Sequence, residues 1–222
     1  MATSRLPHQP IQESKHPLTI TAKQLSKRFN REWIFRNLNF TFQTGDTYAI
    51  TGPNGSGKST LIQVLSGYTP PSSGELKYFA NEEIPAEDIY KHITIAAPYL
   101  DLIDEFTLTE QLRFHFGLKQ VRAGKSVEEL ISIMYLEKSA QKQIGNFSSG
   151  MKQRVKLALA FYTEAQIVFL DEPGTNLDEQ AFAWYLSELS KVPTETCVVI
   201  ASNNPAEYPS ATQKLNISDY KR

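Results

Sequence analysis

Nine residues, GPNGSGKST from Gly52 to Thr60, restrict what this chain can fold into more than any other stretch. They meet the spacing G-x-x-x-x-G-K-[ST] through Gly52, Gly57, Lys58 and Ser59. Gly55 and Gly57 lack a Cβ, so the backbone can turn tightly and approach an anion closely. The preceding TYAIT reads as a core strand, Thr47–Thr51, and a helix is expected from about Ser59. A loop between strand and helix aims N–H groups and the helix dipole at a phosphate. Pro53, Asn54 and Ser56 complete that cradle. Lys58 is placed to reach the β and γ phosphates, and the Ser59 hydroxyl to meet Mg²⁺, with Thr60 adding a hydroxyl near the α phosphate. A merely flexible Gly/Ser loop would need neither the strand before it nor the helix after it.

A second stretch, IVFLDEP from Ile167 to Pro173, ends an apolar run in two carboxylates. Four apolar residues in a row suit a strand buried on both faces of a parallel sheet. Asp171 then stands where it can hold Mg²⁺ through water. Glu172, one residue on, points elsewhere and is the candidate for polarising an attacking water. Between these two stretches lies NFSSGMKQR. Ser148, Ser149 and Gly150 open a helix there. The plain reading is an N-capped amphipathic helix with Lys152, Arg154 and Lys156 in solvent. The sharper one is a second anion site at a helix N-terminus.

The rest of the chain fits one α/β domain. LTITAKQL alternates from Leu18, and WIFRNLNFTFQ alternates through Ile34, Leu38, Phe40 and Phe42, which predicts an N-terminal β region. ELKYF and Ile93–Ala97 read as further strands. Residues 107–146 change character. Thr107 with Glu110, and Ser126 with Glu129, form two capping boxes ahead of amphipathic runs, which predicts an inserted helical lobe. Helices near 150–164 and 179–190 and strands at Ile167–Leu170 and Cys197–Ala201 follow. Residues 1–17 carry three prolines and few apolar groups and read as a mobile tail.

Charge and cysteine usage exclude several alternatives. A net charge of -1 argues against a nucleic-acid partner, which usually leaves a basic footprint. The lone Cys197 sits in the apolar run TCVVIA and reads as a core residue in a reducing compartment. No apolar run approaches the roughly 18 residues that cross a bilayer. The N-terminus lacks an apolar signal core. These points predict a cytoplasmic protein, reaching a membrane only through a partner.

Together these motifs resemble the ATP-binding subunits of ABC transporters, from Leu18 to about Tyr220. GPNGSGKST is similar to the family's Walker A and IVFLDE to its Walker B with a catalytic glutamate. FSSGM resembles the signature usually written LSGGQ, and GTNLD resembles the D-loop. Phe29 in LSKRF sits where the family stacks an aromatic ring on adenine. FSSGMKQRVKLALA and LTEQLRFHFGL further resemble small transporter ATPases of the haem-exporter type. The resemblance implies a P-loop NTPase core with a parallel sheet, an N-terminal antiparallel β subdomain and an inserted α-helical subdomain at about 99–160, in one domain spanning 18–222. It implies ATP and Mg²⁺ as cofactors. It also implies a homodimer with each ATP between one Walker A and the other subunit's Ser148–Gly150, and a membrane permease docked on the helical lobe.

Three departures from the family pattern are legible. The signature reads SSGM. Pro98 stands where the family has a glutamine near Mg²⁺. Asn203, in VVIASNNPAEY, takes the place of a switch histidine, and asparagine can donate a hydrogen bond but carries no proton or charge. Pro98 and Asn203 keep open a rival reading, an ATP-gated binding module with little hydrolysis. A soluble ABC protein acting on ribosomes or DNA fits less well, for want of paired cassettes or a basic arm. A P-loop kinase would leave the FSSGM helix unexplained.

Overall fold

A computed structural model describes residues 16–221; most of the predicted N-terminal tail, residues 1–15, lies outside the described residues. Strands β1 (Thr19–Phe29) and β2 (Glu32–Gln43) form a hairpin whose two-residue connection puts Asn30 in the left-handed region at φ 51°. Asparagine tolerates that conformation better than most residues. The pair carries three register shifts, with Gln24 (φ 50°) and Asn37 (φ 55°) in the left-handed region at two of them and Ile34 as the extra residue at the third. An extra residue at a bulge shifts which side chains face inward. On β2 the buried set is therefore Phe35, Leu38 and Phe42, with Ile34 and Phe40 only partly buried.

The chain continues through β3 (Thr47–Thr51), α1 (Lys58–Leu65), β4 (Ser73–Phe79), β5 (Glu83–Ile84) and β6 (Ile93–Ala96). Helices α2 (Leu108–Leu118), α3 (Val127–Ile133) and α4 (Ser149–Tyr162) precede β7 (Ile167–Asp171). Helix α5 (Glu179–Leu189), β8 (Cys197–Ala201) and β9 (Gln213–Asn216) complete it.

Two sheets result. One is antiparallel, in the order β2-β1-β4-β5, and the other parallel, in the order β6-β7-β8-β3-β9. Every residue of β7 and β8 is buried, because the parallel sheet is covered on both faces. Val168 and Leu170 pack with the helices α4 and α5, while Ile167 and Phe169 pack with α1 and the antiparallel sheet. Each such side chain contributes about 1.5–3 kcal/mol on burial. Cys197 faces the second of these cores, and burial pushes its thiol up.

The helical insertion leaves the sheet after β6 and returns at β7, its immediate parallel neighbour. Both capping boxes form: Thr107 accepts from Glu110, and Ser126 accepts from Glu129. Backbone bonds close the base of the insertion, Ile144 N–H to the Phe106 carbonyl at 2.8 Å and Gly145 N–H to that of Asp104 at 2.9 Å. No helix among the described residues is long and apolar enough to cross a membrane.

Candidate nucleotide site

The loop GPNGSGKST leaves the carboxyl end of β3 and delivers the chain into α1 at Lys58. Gly57, the N-cap residue, has φ 107°, and a Cβ there would stand 2.4 Å from Ile34 Cγ2. Glycine is thus required both by conformation and by space. The loop closes on itself where the Ser56 N–H donates to the Pro53 carbonyl at 3.0 Å. It borders a cavity of about 400 Å³ lined by Asn54, Gly55 and Gly57 to Thr60, with Glu172, Thr175 and Ile34 opposite.

Lys58 is 5% exposed. Its ammonium donates to the Gly52 carbonyl at 2.9 Å and lies 3.2 Å from Glu172 Oε1. That leaves one of its three donors uncommitted at the cavity. Glu172 departs from β7 in the left-handed region, φ 47°. A non-glycine residue pays roughly 1–2 kcal/mol for that conformation, and such strain concentrates at functional positions. Its N–H is held by the Ala201 carbonyl at 2.9 Å, which turns the carboxylate toward Lys58.

Asp171, the last residue of β7, is fully buried, and neither carboxylate oxygen has a partner in full hydrogen-bond geometry, although the Ser59 hydroxyl is close enough to favour its charge. Burial pushes its carboxyl up to about 6; the neighbouring Glu172 charge adds to this, while Ser59 and Lys58 pull it back. A buried, unpartnered carboxylate beside a hydroxyl is a hard-oxygen set suited to Mg²⁺. The residues therefore fit the metal that the motif calls for. Ser56 Oγ is likewise buried and unpartnered on the loop.

Asn203 follows β8 and braces the loop. Its Oδ1 accepts from the Gly52 N–H at 3.2 Å, and its Nδ2 donates to Asn54 Oδ1 at 3.0 Å. The turn before Pro205 is capped instead by Asn204, whose Oδ1 accepts from the Ala206 N–H at 3.1 Å. These two adjacent asparagines thus have separate tasks.

Other sequence candidates lie apart from the cavity. Phe29 ends β1 with its ring 47% exposed and the Lys27 ammonium 4.9 Å from its centroid. It does not line the cavity, whereas Ile34 on the next strand does. Ser148 caps α4 by accepting from the Met151 N–H at 3.2 Å. Ser148, Ser149 and Gly150 do not line this cavity, and Gly150 sits against the GTNLD turn. A Cβ on Gly150 would come within 2.7 Å of the Asn176 carbonyl oxygen.

The basic residues that follow are engaged, contrary to the solvated reading. Lys152 pairs with Asp104 at 2.7 Å, and Arg154 donates to the Met134 carbonyl at 3.0 Å. Lys156 donates to the carbonyls of Ala97 and Pro98, each at 3.3 Å. Gln153, a residue the sequence did not single out, donates to the Pro173 carbonyl at 2.9 Å and ties α4 to the exit of β7.

A phosphate cradle between strand and helix, with a buried aspartate two strands along the same sheet, defines a P-loop nucleotide-binding protein. The sequence profile described as ABC transporter matches residues 35–175, and the chain belongs to this family.

The chain is 34% identical over 167 residues to the Nod factor export ATP-binding protein I of Burkholderia lata, a match covering 73% of this chain and 55% of that protein. The protein of the same name from Sinorhizobium fredii is 32% identical over 176 residues, 77% of this chain and 51% of its own length. The chain spans about half the length of these curated relatives. Among solved structures, a putative ABC transporter ATP-binding protein from Pyrococcus furiosus superposes with a TM-score of 0.76 at 22% identity, covering 92% of this chain and 100% of that one. A dimeric bacterial ABC transporter cassette gives 0.75 at 20% identity, over 90% and 95% of the two chains. These likenesses agree with the expected combination of parallel core, antiparallel sheet and helices.

Proposed function

We propose that this chain binds and hydrolyses ATP as the motor subunit of an ABC transporter. Residues 18–222 form one ATP-binding domain, with a helical subdomain at about 99–160. The observation that carries this reading is the meeting of Lys58, Glu172 and the unpartnered Asp171 around one phosphate loop. The N–H groups of the loop and of the first turn of α1 hold the β and γ phosphates. Lys58 neutralises their charge. Ser59 and Asp171 would hold Mg²⁺, which when bound would supply positive charge to the phosphate oxygens. Glu172 orients the attacking water and takes up its proton, and ADP and phosphate leave. Asn203 supplies a neutral donor and keeps the loop in shape. Phe29 offers an exposed ring to the adenine.

Ser148–Gly150 face the ATP of a second copy, so that nucleotide joins two subunits. Tyr99, Leu100, Leu102, Ile103 and Phe106 lie at the entry to the helical lobe and are half-buried, with part of each available to a membrane permease. The protein then works at the cytoplasmic face of the membrane through that partner.

The deciding experiment is nucleotide binding by Lys58→Ala, with phosphate release measured in parallel. Loss of the cation should weaken ATP binding strongly and abolish turnover. An unchanged ATP affinity sinks the site. Intact binding by the natural chain with no phosphate release, alone or with a permease, would instead leave an ATP-gated binding module.

A further inference from the structure

Among the described residues, the buried polar groups without partners at the carboxyl end of the parallel sheet include the Asp171 carboxylate and the Tyr99 hydroxyl. Ala96 stands opposite Leu170 in the β6–β7 pair, so Asp171 and the segment 97–99 leave the sheet side by side. Burial holds the proton on the Tyr99 phenol, and the Asp171 charge is the next largest influence on it. Tyr68 packs against the Tyr99 ring, centroids 6.0 Å apart. Lys156 pins the Ala97 and Pro98 carbonyls just before it. The phenol is therefore held in place by its neighbours, while its oxygen is left without a bond.

Folded proteins leave few buried polar atoms unpaired, because each has given up its water. Two of them leaving adjacent strand ends point to a small polar occupant between them. We infer that the Tyr99 hydroxyl is a positioning residue for hydrated Mg²⁺ at Asp171, its oxygen accepting from a metal-bound water that Asp171 also holds. The inference rests on the nucleotide site proposed above. A water on Mg²⁺ has two hydrogens to place; the carboxylate takes one and the phenol oxygen the other. The phenol keeps its own proton, which remains available to a phosphate oxygen. Tyr99 thus supplies, one residue along, the polar group that Pro98 lacks.

The test is a Mg²⁺ titration of ATP binding in the full chain, comparing the natural protein with Tyr99→Phe, which keeps the ring and removes only the oxygen. Partners of metal-bound groups typically carry 10–100-fold in metal affinity, so the Mg²⁺ midpoint should rise by roughly tenfold or more. ATP binding in EDTA should stay as it was. The metal-free melting temperature should hold or rise, since an unpaired buried hydroxyl has been removed. Tyr68→Phe should leave the midpoint alone. An unshifted midpoint in Tyr99→Phe overturns the inference. So does a marked loss of metal-free stability, which would reveal a structural partner, and so does an equal shift in Tyr68→Phe, which would trace the effect to ring packing. If the natural protein itself shows no Mg²⁺ dependence, the nucleotide–metal reading falls, and this inference with it. A Mg²⁺-dependent natural protein with an unshifted Tyr99→Phe overturns this inference alone.

Discussion

The Asn203 side chain accepts a hydrogen bond from the Gly52 N–H across 151 positions of sequence, at 3.2 Å. The same amide reaches Asn54 with its other end. Unlike a histidine, the amide makes this pair of bonds without being able to take up a proton or a positive charge. In this chain the second residue after the last fully buried strand serves to shape the phosphate loop. Asn203→Ala should raise the dissociation constant for ATP by roughly 3–10-fold, the equivalent of about 1 kcal/mol for one lost bond. Calorimetric titration of both proteins checks it; equal affinities would reduce the contact to decoration.

Glu172→Gln separates binding from chemistry. The neutral amide cannot take up a proton, and losing a general base typically slows turnover by about 10²–10⁴-fold. ATP should still bind, since Lys58 keeps its charge and loses its 3.2 Å ion pair. The ATP-bound protein should then accumulate as a dimer on a sizing column. A monomer at saturating ATP counts against the two-subunit sandwich.

Asp171 predicts opposite pH responses for stability and for metal. Its carboxyl titrates near 6 in the folded chain, mainly through burial, and near 3.8 when unperturbed. The folded state thus binds the extra proton between those values, so metal-free stability is highest below about 4 and is lost as pH rises through 6. Asp171→Asn should therefore stabilise the metal-free protein at pH 8, on the order of 1–3 kcal/mol, with the gain shrinking toward pH 4. Mg²⁺ needs the charged form, so its affinity should fall as pH drops below 6. Melting curves in EDTA and Mg²⁺ titrations across that range report both.

Gly150→Ala ought to raise helix propensity by up to about 1 kcal/mol. The added methyl would meet the Asn176 carbonyl oxygen at 2.7 Å, which is backbone and cannot swing aside. Overpacking of this kind costs about 1–3 kcal/mol. A lower melting temperature is expected, together with weaker ATP-dependent dimerisation. A more stable variant would show that the GTNLD turn is free to move.

What could be read in advance was local. Thr107 with Glu110 and Ser126 with Glu129 cap helices within four residues, and both boxes form. The buried runs of β7 and β8 need only apolar length, and they fall where expected. The remainder depended on the backbone or on distant partners. The bulge at Asn37 breaks the alternation of β2, so Phe35 takes the interior while Ile34 reaches the cavity beside Gly57. Lys152, Arg154 and Lys156 look like a solvated helix face until Asp104, Met134 and Pro98 are brought up to them by the tertiary fold. Nothing near Asn203 in sequence names Gly52.

The placing of β3 has a consequence for how the protein is made. Its neighbours on either side are β8 and β9, the last two strands among the described residues. Pairings so distant along the chain form slowly, and a ribosome delivers the N-terminal partner long before the C-terminal ones. A nascent fragment ending before Cys197 already contains the whole of GPNGSGKST, yet β3 in it has two bare edges and no platform for the loop. Such edges invite pairing with other chains. Until β8 and β9 have emerged and paired, the growing chain is exposed to aggregation at the very strand from which its phosphate loop will hang.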